Sequence, residues 1–224
     1  SGSQAYGAGG YKADFAFRMV RDEAVGSNVL ELTLKGAADE ASPVFLSRAT
    51  STNRSEAVWV DVYILARQAA MSEGVELGTF NGFFFNRDGH PVACAANGAQ
   101  TNRRIRVSLD RWARVTTRLD YAARTWELYV DGILAARDLP LAGSAATFEG
   151  LGFEGDGDAT LDDVVISRTR PQGLSSDGDP LPDEWEIRHF GTLDRTGFGD
   201  ADSDGVRDVD ELKAGTDPND ADSD

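Results

Sequence analysis

The chain has 224 residues, 41% of them hydrophobic, with 24 glycines and a formal net charge of −16. That length and apolar content allow one sizeable core plus a small appendage. The acidity speaks against a nucleic-acid partner, because phosphates require basic patches, and no stretch is long and apolar enough to cross a membrane.

Residues 1–10, opening with Ser1-Gly2-Ser3, read as a flexible N-terminus. From Tyr11 to about Arg170 short apolar stretches alternate with turn residues, as strands do. Strands are expected at Asp14–Val20, Val29–Leu34 and Val44–Ala49. At Ala57–Leu65 the alternation is clean. Val58, Val60, Val62 and Ile64 share one face, and Trp59, Asp61, Tyr63 and Leu65 share the other. Phe80–Asn86 and Pro91–Ala96 flank Asp88-Gly89, a dipeptide favoured in tight hairpins. Arg104–Ser108, Ala113–Asp120 and Thr125–Val130 follow. Asp131-Gly132 marks another hairpin before Ile133–Arg137, and Thr147–Phe153 and Leu161–Ser167 complete the set. About twelve strands without a long helix predict an all-β fold, an antiparallel two-sheet sandwich. Trp126 is expected in its core beside Leu128 and Val130. Cys94, the single cysteine, can form no disulfide within the chain and reads as a small buried hydrophobe.

Near Arg170 the character changes. Pro171, Gly173, Ser175 and Ser176 read as a linker. Residues 171–224 carry 16 acids against 4 bases, so the acidity belongs to this segment. It is either a solvated tail or a cation-binding one. Helices are expected at Pro182–Phe190, with Pro182 in the first helical position and Gly191 past the end. A second is expected at Asp208–Ala214, closed by Gly215.

Spacing decides between the two readings. Asp200, Asp202 and Asp204 stand at positions 1, 3 and 5 of a twelve-residue calcium loop. Gly205 stands at the turn position, Val206 offers its carbonyl at position 7, and Asp208 and Glu211 fill positions 9 and 12. The ligands are all oxygens, with no nearby cysteine or histidine, which favours calcium (Ca2+) over zinc or copper. In the same frame Ser175, Asp177, Asp179, Leu181, Asp183 and Glu186 form an earlier copy. There Ser175 replaces the first acid and Pro180 the turn glycine. Proline cannot reach a positive φ, so a distorted or weak loop is expected. Asp220, Asp222 and Asp224 begin a third copy, preceded by Asp217. Asp162 and Asp163, expected to open the last strand, suggest a further structural calcium or a capped strand end.

Asp177-Gly178-Asp179-Pro180-Leu181-Pro182-Asp183-Glu184-Trp185-Glu186, Asp200–Glu211 and Gly215-Thr216-Asp217-Pro218 resemble the bacterial form of thrombospondin type 3 repeats. The resemblance implies a segment, residues 171–224, that wraps around calcium with little apolar core. Dockerins use a similar loop, which would imply a cohesin partner. Trp112-Ala113-Arg114-Val115, Trp126–Gly132, Gly152-Phe153 and Leu161–Ser167 resemble laminin-G-like or concanavalin-A-like jelly-roll domains of bacterial surface proteins. That likeness covers residues 11–170.

No catalytic constellation is expected. A Glu-x-Asp-x-x-Glu strand is missing from the sequence, and Glu154, Asp156 and Asp158 fall in a Gly-rich loop. His90 and His189 are the two histidines, and His189 follows Trp185 by one turn, as a packing partner would. The expected role is a non-catalytic, calcium-binding structural or adhesive module, secreted or on a cell surface. Its partners would be other surface-protein subunits. The alternative is a carbohydrate-binding module using Trp59, Asp61 and Tyr63 as an open stacking face, lined further by Arg114, Arg118 and Tyr129.

Overall fold

The computed structural model describes residues 14–22, 27–35, 44–46, 57–66, 81–144, 151–153 and 157–222. Residues 1–10, Glu154, Asp156 and Asp224 therefore lie outside the described residues. Strands occur at β1 (Asp14–Asp22), β2 (Ser27–Lys35), β3 (Val44–Leu46), β4 (Val58–Leu65), β5 (Gly82–Phe85) and β6 (Pro91–Ala95). They continue with β7 (Gly98–Thr101), β8 (Trp112–Asp120), β9 (Thr125–Val130), β10 (Ile133–Pro140), β11 (Leu151–Phe153) and β12 (Gly157–Ser167). Two short helices follow, α1 (Asp183–His189) and α2 (Asp208–Ala214).

Seven strands form one antiparallel sheet in the order β1-β2-β12-β4-β8-β9-β10. β5, β6 and β7 make a second antiparallel sheet, and β3 pairs with β11. The fold is thus all-β and antiparallel, with a loop–helix segment at its C-terminal end. Alternation on β4 sends Val62 inward to meet Val115, Trp126 and Leu128 of the large sheet. Phe85, Ala93 and Ala95 of the smaller sheet close on that layer from the other side. Cys94 is buried, as its small apolar character requires.

Residues 104–108 do not form the expected strand. The Oδ1 of Asn102 accepts the backbone N–H groups of Arg104 (2.8 Å) and Ile105 (3.1 Å), so neither can join a ladder. Val107 donates instead to the carbonyl of Gly89 in the β5–β6 turn, at 2.9 Å. The third strand of the small sheet is β7, which pairs Ala95 with Gly98 across a two-residue turn.

The Asp131-Gly132 turn behaves as its sequence demands. Both residues are left-handed, with φ of +50° and +83°. Gly132 also allows a close approach, since a Cβ there would lie 2.3 Å from the Gly173 carbonyl oxygen. Gly132→Ala is therefore expected to cost about 2 kcal/mol or more, through both strain and clash. Thermal denaturation measures this, and an unchanged midpoint would contradict the close approach.

Candidate metal centre

The second acidic loop is organised by its own side chains. Asp200 accepts the N–H of Ser203 on Oδ1 (2.7 Å) and that of Gly205 on Oδ2 (2.9 Å). Asp202 and Asp204 each use Oδ1 to accept the N–H two residues on, from Asp204 and Val206. These Asx-type bonds curl the chain so that oxygens of Asp200, Asp202 and Asp204 lie within 4.8 Å of one another. Gly205 takes a φ of +101°, the conformation the turn position was expected to need. α2 then carries Glu211 into the interior. Its side chain is 1% exposed, and Oε2 has no hydrogen-bond partner.

The first loop repeats this design with two matched substitutions. The Oγ of Ser175 accepts the N–H groups of Gly178 (3.2 Å) and Asp179 (3.1 Å), taking over the work of Asp200 Oδ1. In the second loop the other oxygen of Asp200 accepts the N–H of Gly205. The first loop has neither group, because serine has one oxygen and Pro180 has no N–H. The positive φ expected at the turn moves away from Pro180, and Gly178 carries +89°, as Ser203 carries +67° at the same place in its loop. Leu181 donates to Asp179 Oδ1 at 2.8 Å, as Val206 does to Asp204. Asp177, Asp183 and Glu186 then present oxygens within 4.8 Å of one another. α1 starts one residue later than expected, with Pro182 as its N-cap. Glu186 is 0% exposed, and neither carboxylate oxygen has a partner.

Position 9 is treated alike in both loops. Asp183 accepts from Ser176 N–H (2.7 Å) and pairs with Arg170 (2.8 Å). Asp208 accepts from Ala201 N–H (3.0 Å) and pairs with Arg195 (2.9 Å). Sequence reading did not find these arginines, although both lie thirteen residues before their aspartate.

Crowding raises the carboxyl pKa values. Burial, then Asp179 and Asp177, push Glu186 up to about 7. Burial, then Asp202 and Asp204, raise Glu211, and burial with Asp177 raises Asp179. Asp202 shifts upward as well, through burial, Asp204 and Asp200. At Asp183 burial is outweighed by the Ser176 N–H and Arg170, which hold its carboxyl below the usual value. The orphaned oxygens are Asp179 Oδ2, both Oε atoms of Glu186, Asp202 Oδ2 and Glu211 Oε2. Five buried acceptors without donors, in two oxygen-only sets, fit a hard divalent cation in each loop.

The remaining candidates fall elsewhere. Asp217 turns to His189 (3.3 Å) and not to a loop. His189 packs on the Trp185 ring with centroids 4.7 Å apart. Asp220 and Asp222 are exposed and join neither cluster. Asp162 and Asp163 do not open a strand, because β12 begins at Gly157. They sit at its bulge opposite Tyr63, where Asp163 has a φ of +48°.

The expected open face of β4 is closed at Trp59, which is 7% exposed. Leu174, from the segment beyond the sandwich, covers it together with Tyr129. Arg118 stands over the Trp59 ring at 6.0 Å. Asp61 is engaged by Arg114 (2.8 Å) and the Thr116 hydroxyl (2.5 Å), while Tyr63 stays exposed. Trp59, Asp61 and Tyr63 thus do not form the expected shared stacking face.

The same segment fastens the first loop to the sandwich. Ser175 N–H donates to Gly132 (2.8 Å), and Leu134 N–H donates to the Ser175 carbonyl (3.2 Å), a parallel bridge on the free edge of β10. Arg137 donates to the Ser176 carbonyl. Beyond it Leu181, Trp185 and Val209 form a small core shared by both loops.

Among known proteins, the family pattern described as the bacterial TSP3 repeat matches residues 200–221. No curated protein matches the chain. The fold is similar to a Trypanosoma rangeli sialidase mutant displaying trans-sialidase activity, at 16% identity and a TM-score of 0.41. That match covers 54% of this chain and 22% of the sialidase. It is also similar to the binding domain of Paraclostridial Mosquitocidal Protein 1, at 13% identity and a TM-score of 0.43, over 73% of this chain and 46% of that one. A third likeness is a heptameric SAP-like pentraxin from Limulus polyphemus, at 13% identity and a TM-score of 0.36, over 61% and 74%. Likenesses this distant assign neither a ligand nor an activity.

Proposed function

We propose that this chain is a non-catalytic, calcium-binding structural or adhesive module, with one ion held by each acidic loop. The observation that carries the reading is the pair of buried glutamates that end the loops, Glu186 with neither carboxylate oxygen hydrogen-bonded and Glu211 with Oε2 left over. A carboxylate taken out of water without a counter-charge costs far more than a small segment can offset. An ion supplies that charge and fills the orphaned acceptors. Ser175, Asp177, Asp179, Asp183 and Glu186 would hold the first ion with the Leu181 carbonyl, and Asp200, Asp202, Asp204 and Glu211 the second with the Val206 carbonyl. Flexible oxygen loops of this spacing suit calcium better than magnesium, which demands a tight octahedron.

Calcium loops of low affinity fill where free calcium is abundant, which favours a location outside the cell or on its surface. In this reading residues 11–170 are a laminin-G-like sandwich and residues 171–224 a calcium-stiffened stalk; the bacterial TSP3 repeat match at residues 200–221 supports the stalk alone. A carbohydrate-binding role would need a surface other than Trp59, which the repeat segment covers.

Calorimetry on the full chain tests the reading. Calcium should bind at two ions per chain, with Glu211→Gln removing one and Glu186→Gln the other. A wild-type chain, freed of metal and unable to take up calcium at millimolar concentration, sinks it.

A further inference from the structure

We infer that Asp208 is not a calcium ligand but a positioning residue, latched by Arg195 to hold the second loop in its ion-binding shape. The inference rests on this loop being a calcium site. Asp208 is 0% exposed, and both of its oxygens are already in use. Oδ1 accepts from Ala201 N–H at 3.0 Å and from Arg195 Nη2 at 3.3 Å. Oδ2 accepts from Arg195 Nε at 3.1 Å and pairs with Nη2 at 2.9 Å. A guanidinium across both oxygens neutralises the carboxylate and fixes its plane. Asp208 is outside the group formed by Asp200, Asp202 and Asp204, as is Glu211, so it is the guanidinium fork that sets Asp208 apart.

The bonds of Asp208 close the loop on itself. Its side chain ties down Ala201, next to the first ligand, and its own N–H donates to the Gly199 carbonyl at 2.9 Å. Arg195 is anchored in turn, standing over the Phe190 ring at 4.7 Å. Phe190 packs edge-on to Trp185, with centroids 5.5 Å apart. The fork therefore fixes the second loop to the end of α1. The first loop carries the same elements. Arg170 pairs with Asp183, Ser176 N–H donates to Asp183 Oδ1, and Asp183 N–H donates to the Leu174 carbonyl at 3.0 Å. Asp183 differs in also presenting an oxygen to Asp177 and Glu186, so the positioning role is confined to Asp208.

A latch and a ligand predict opposite signs. Arg195→Met strands a buried charge and frees the loop. Calcium affinity at the second site should fall about 10- to 100-fold, as when an outer-shell partner of a metal site is lost. Adding Asp208→Asn removes the stranded charge while its amide oxygen still accepts Ala201 N–H. The double variant should therefore recover most of the loss. If Asp208 were a ligand, the double variant would bind more weakly than Arg195→Met alone.

The experiment is calcium titration of the full chain by calorimetry, with calcium as the only probe. A double variant tighter than Arg195→Met supports the latch. A weaker one overturns the latch and leaves the calcium site standing. A wild-type chain that takes up no calcium overturns the site itself. Should Arg195→Met not fold, Asp208→Asn alone decides. Two ions per chain with a loss under about tenfold support positioning, and the loss of one ion supports ligation.

Discussion

With calcium chelated, the segment beyond Gly173 should become more stable, not less, as the pH is lowered from about 7.5 to about 5. The cause is Glu186. Its carboxyl sits at about 7 in the folded chain against an ordinary value of 4.5. Below 4.5 it is neutral in folded and unfolded states alike and costs nothing. Between the two values folding takes up a proton. Above about 7 the folded state must hold a buried anion beside Asp179 and Asp177, and stability falls. The gap corresponds to at most about 3 kcal/mol. Glu211, Asp179 and Asp202 shift the same way. Asp183 shifts oppositely, but its stabilisation is lost only as the pH falls through a value already below 3.8, outside this window. Calcium reverses the sign. It binds the anionic form, so protons compete with it and its affinity rises over the same range. Amide hydrogen exchange in α1 and α2, with calcium or chelator at the two pH values, should give slopes of opposite sign. Glu186→Gln should reduce both slopes, most in α1. A chelated chain whose helices gain protection as the pH rises would refute the account.

Much of this arrangement is legible in the sequence, because most of it is local. Alternation on β4, the Asp-Gly turns and the Asp–Asp–Asp–Gly spacing each act within a dozen residues. α2 occupies the expected residues Asp208–Ala214, closed by a left-handed Gly215. β7 is harder to read, because its two turn residues are Ala96-Asn97 and Gly98 is already its first residue. Residues 104–108 are not a strand because the Asn102 side chain takes the amides of Arg104 and Ile105 and Gly89 takes that of Val107, bonds that periodicity does not register. The larger errors are tertiary. Nothing local to Trp59 says that Leu174, more than a hundred residues on, covers it. In the sequence alone, Ser175 and Pro180 stand as two separate departures from the loop pattern. They become one adaptation only when the bond from Gly205 to Asp200 is seen in the other loop. The arginine latches escaped notice for a related reason. Calcium-loop spacing directs attention inside the twelve residues, and Arg170 and Arg195 lie just before them.

Leu174→Ala is expected to lift the repeat segment off the sandwich while leaving the sandwich folded. Leu174 is 0% exposed among Trp59, Tyr129 and Leu134. Truncating a fully buried leucine costs about 2–5 kcal/mol. Other ties among the described residues include a two-bond bridge at Ser175, the Arg137 bond to Ser176, the Arg170 bond to the Leu174 carbonyl and the Arg170–Asp183 pair. A half-exposed ion pair adds less than about 1 kcal/mol, so these contacts cannot absorb the loss of Leu174. The amides of Ser175 and Leu134, bonded only across the junction, should then lose exchange protection. Those of Leu128 and Val130, inside β9 and the main core, should keep theirs. The indole of Trp59 should meet solvent, while that of Trp126 stays buried. Calcium should oppose the change. Ser175 contributes its hydroxyl to the first loop and its backbone to the β10 edge, so an ion that favours the closed loop also favours the docked segment. Restoring calcium to Leu174→Ala should therefore return part of the protection at Ser175. If Ser175 stays protected in the variant without calcium, the junction does not depend on the apolar contact. If calcium brings no recovery, the first loop and the sandwich edge are not linked through Ser175.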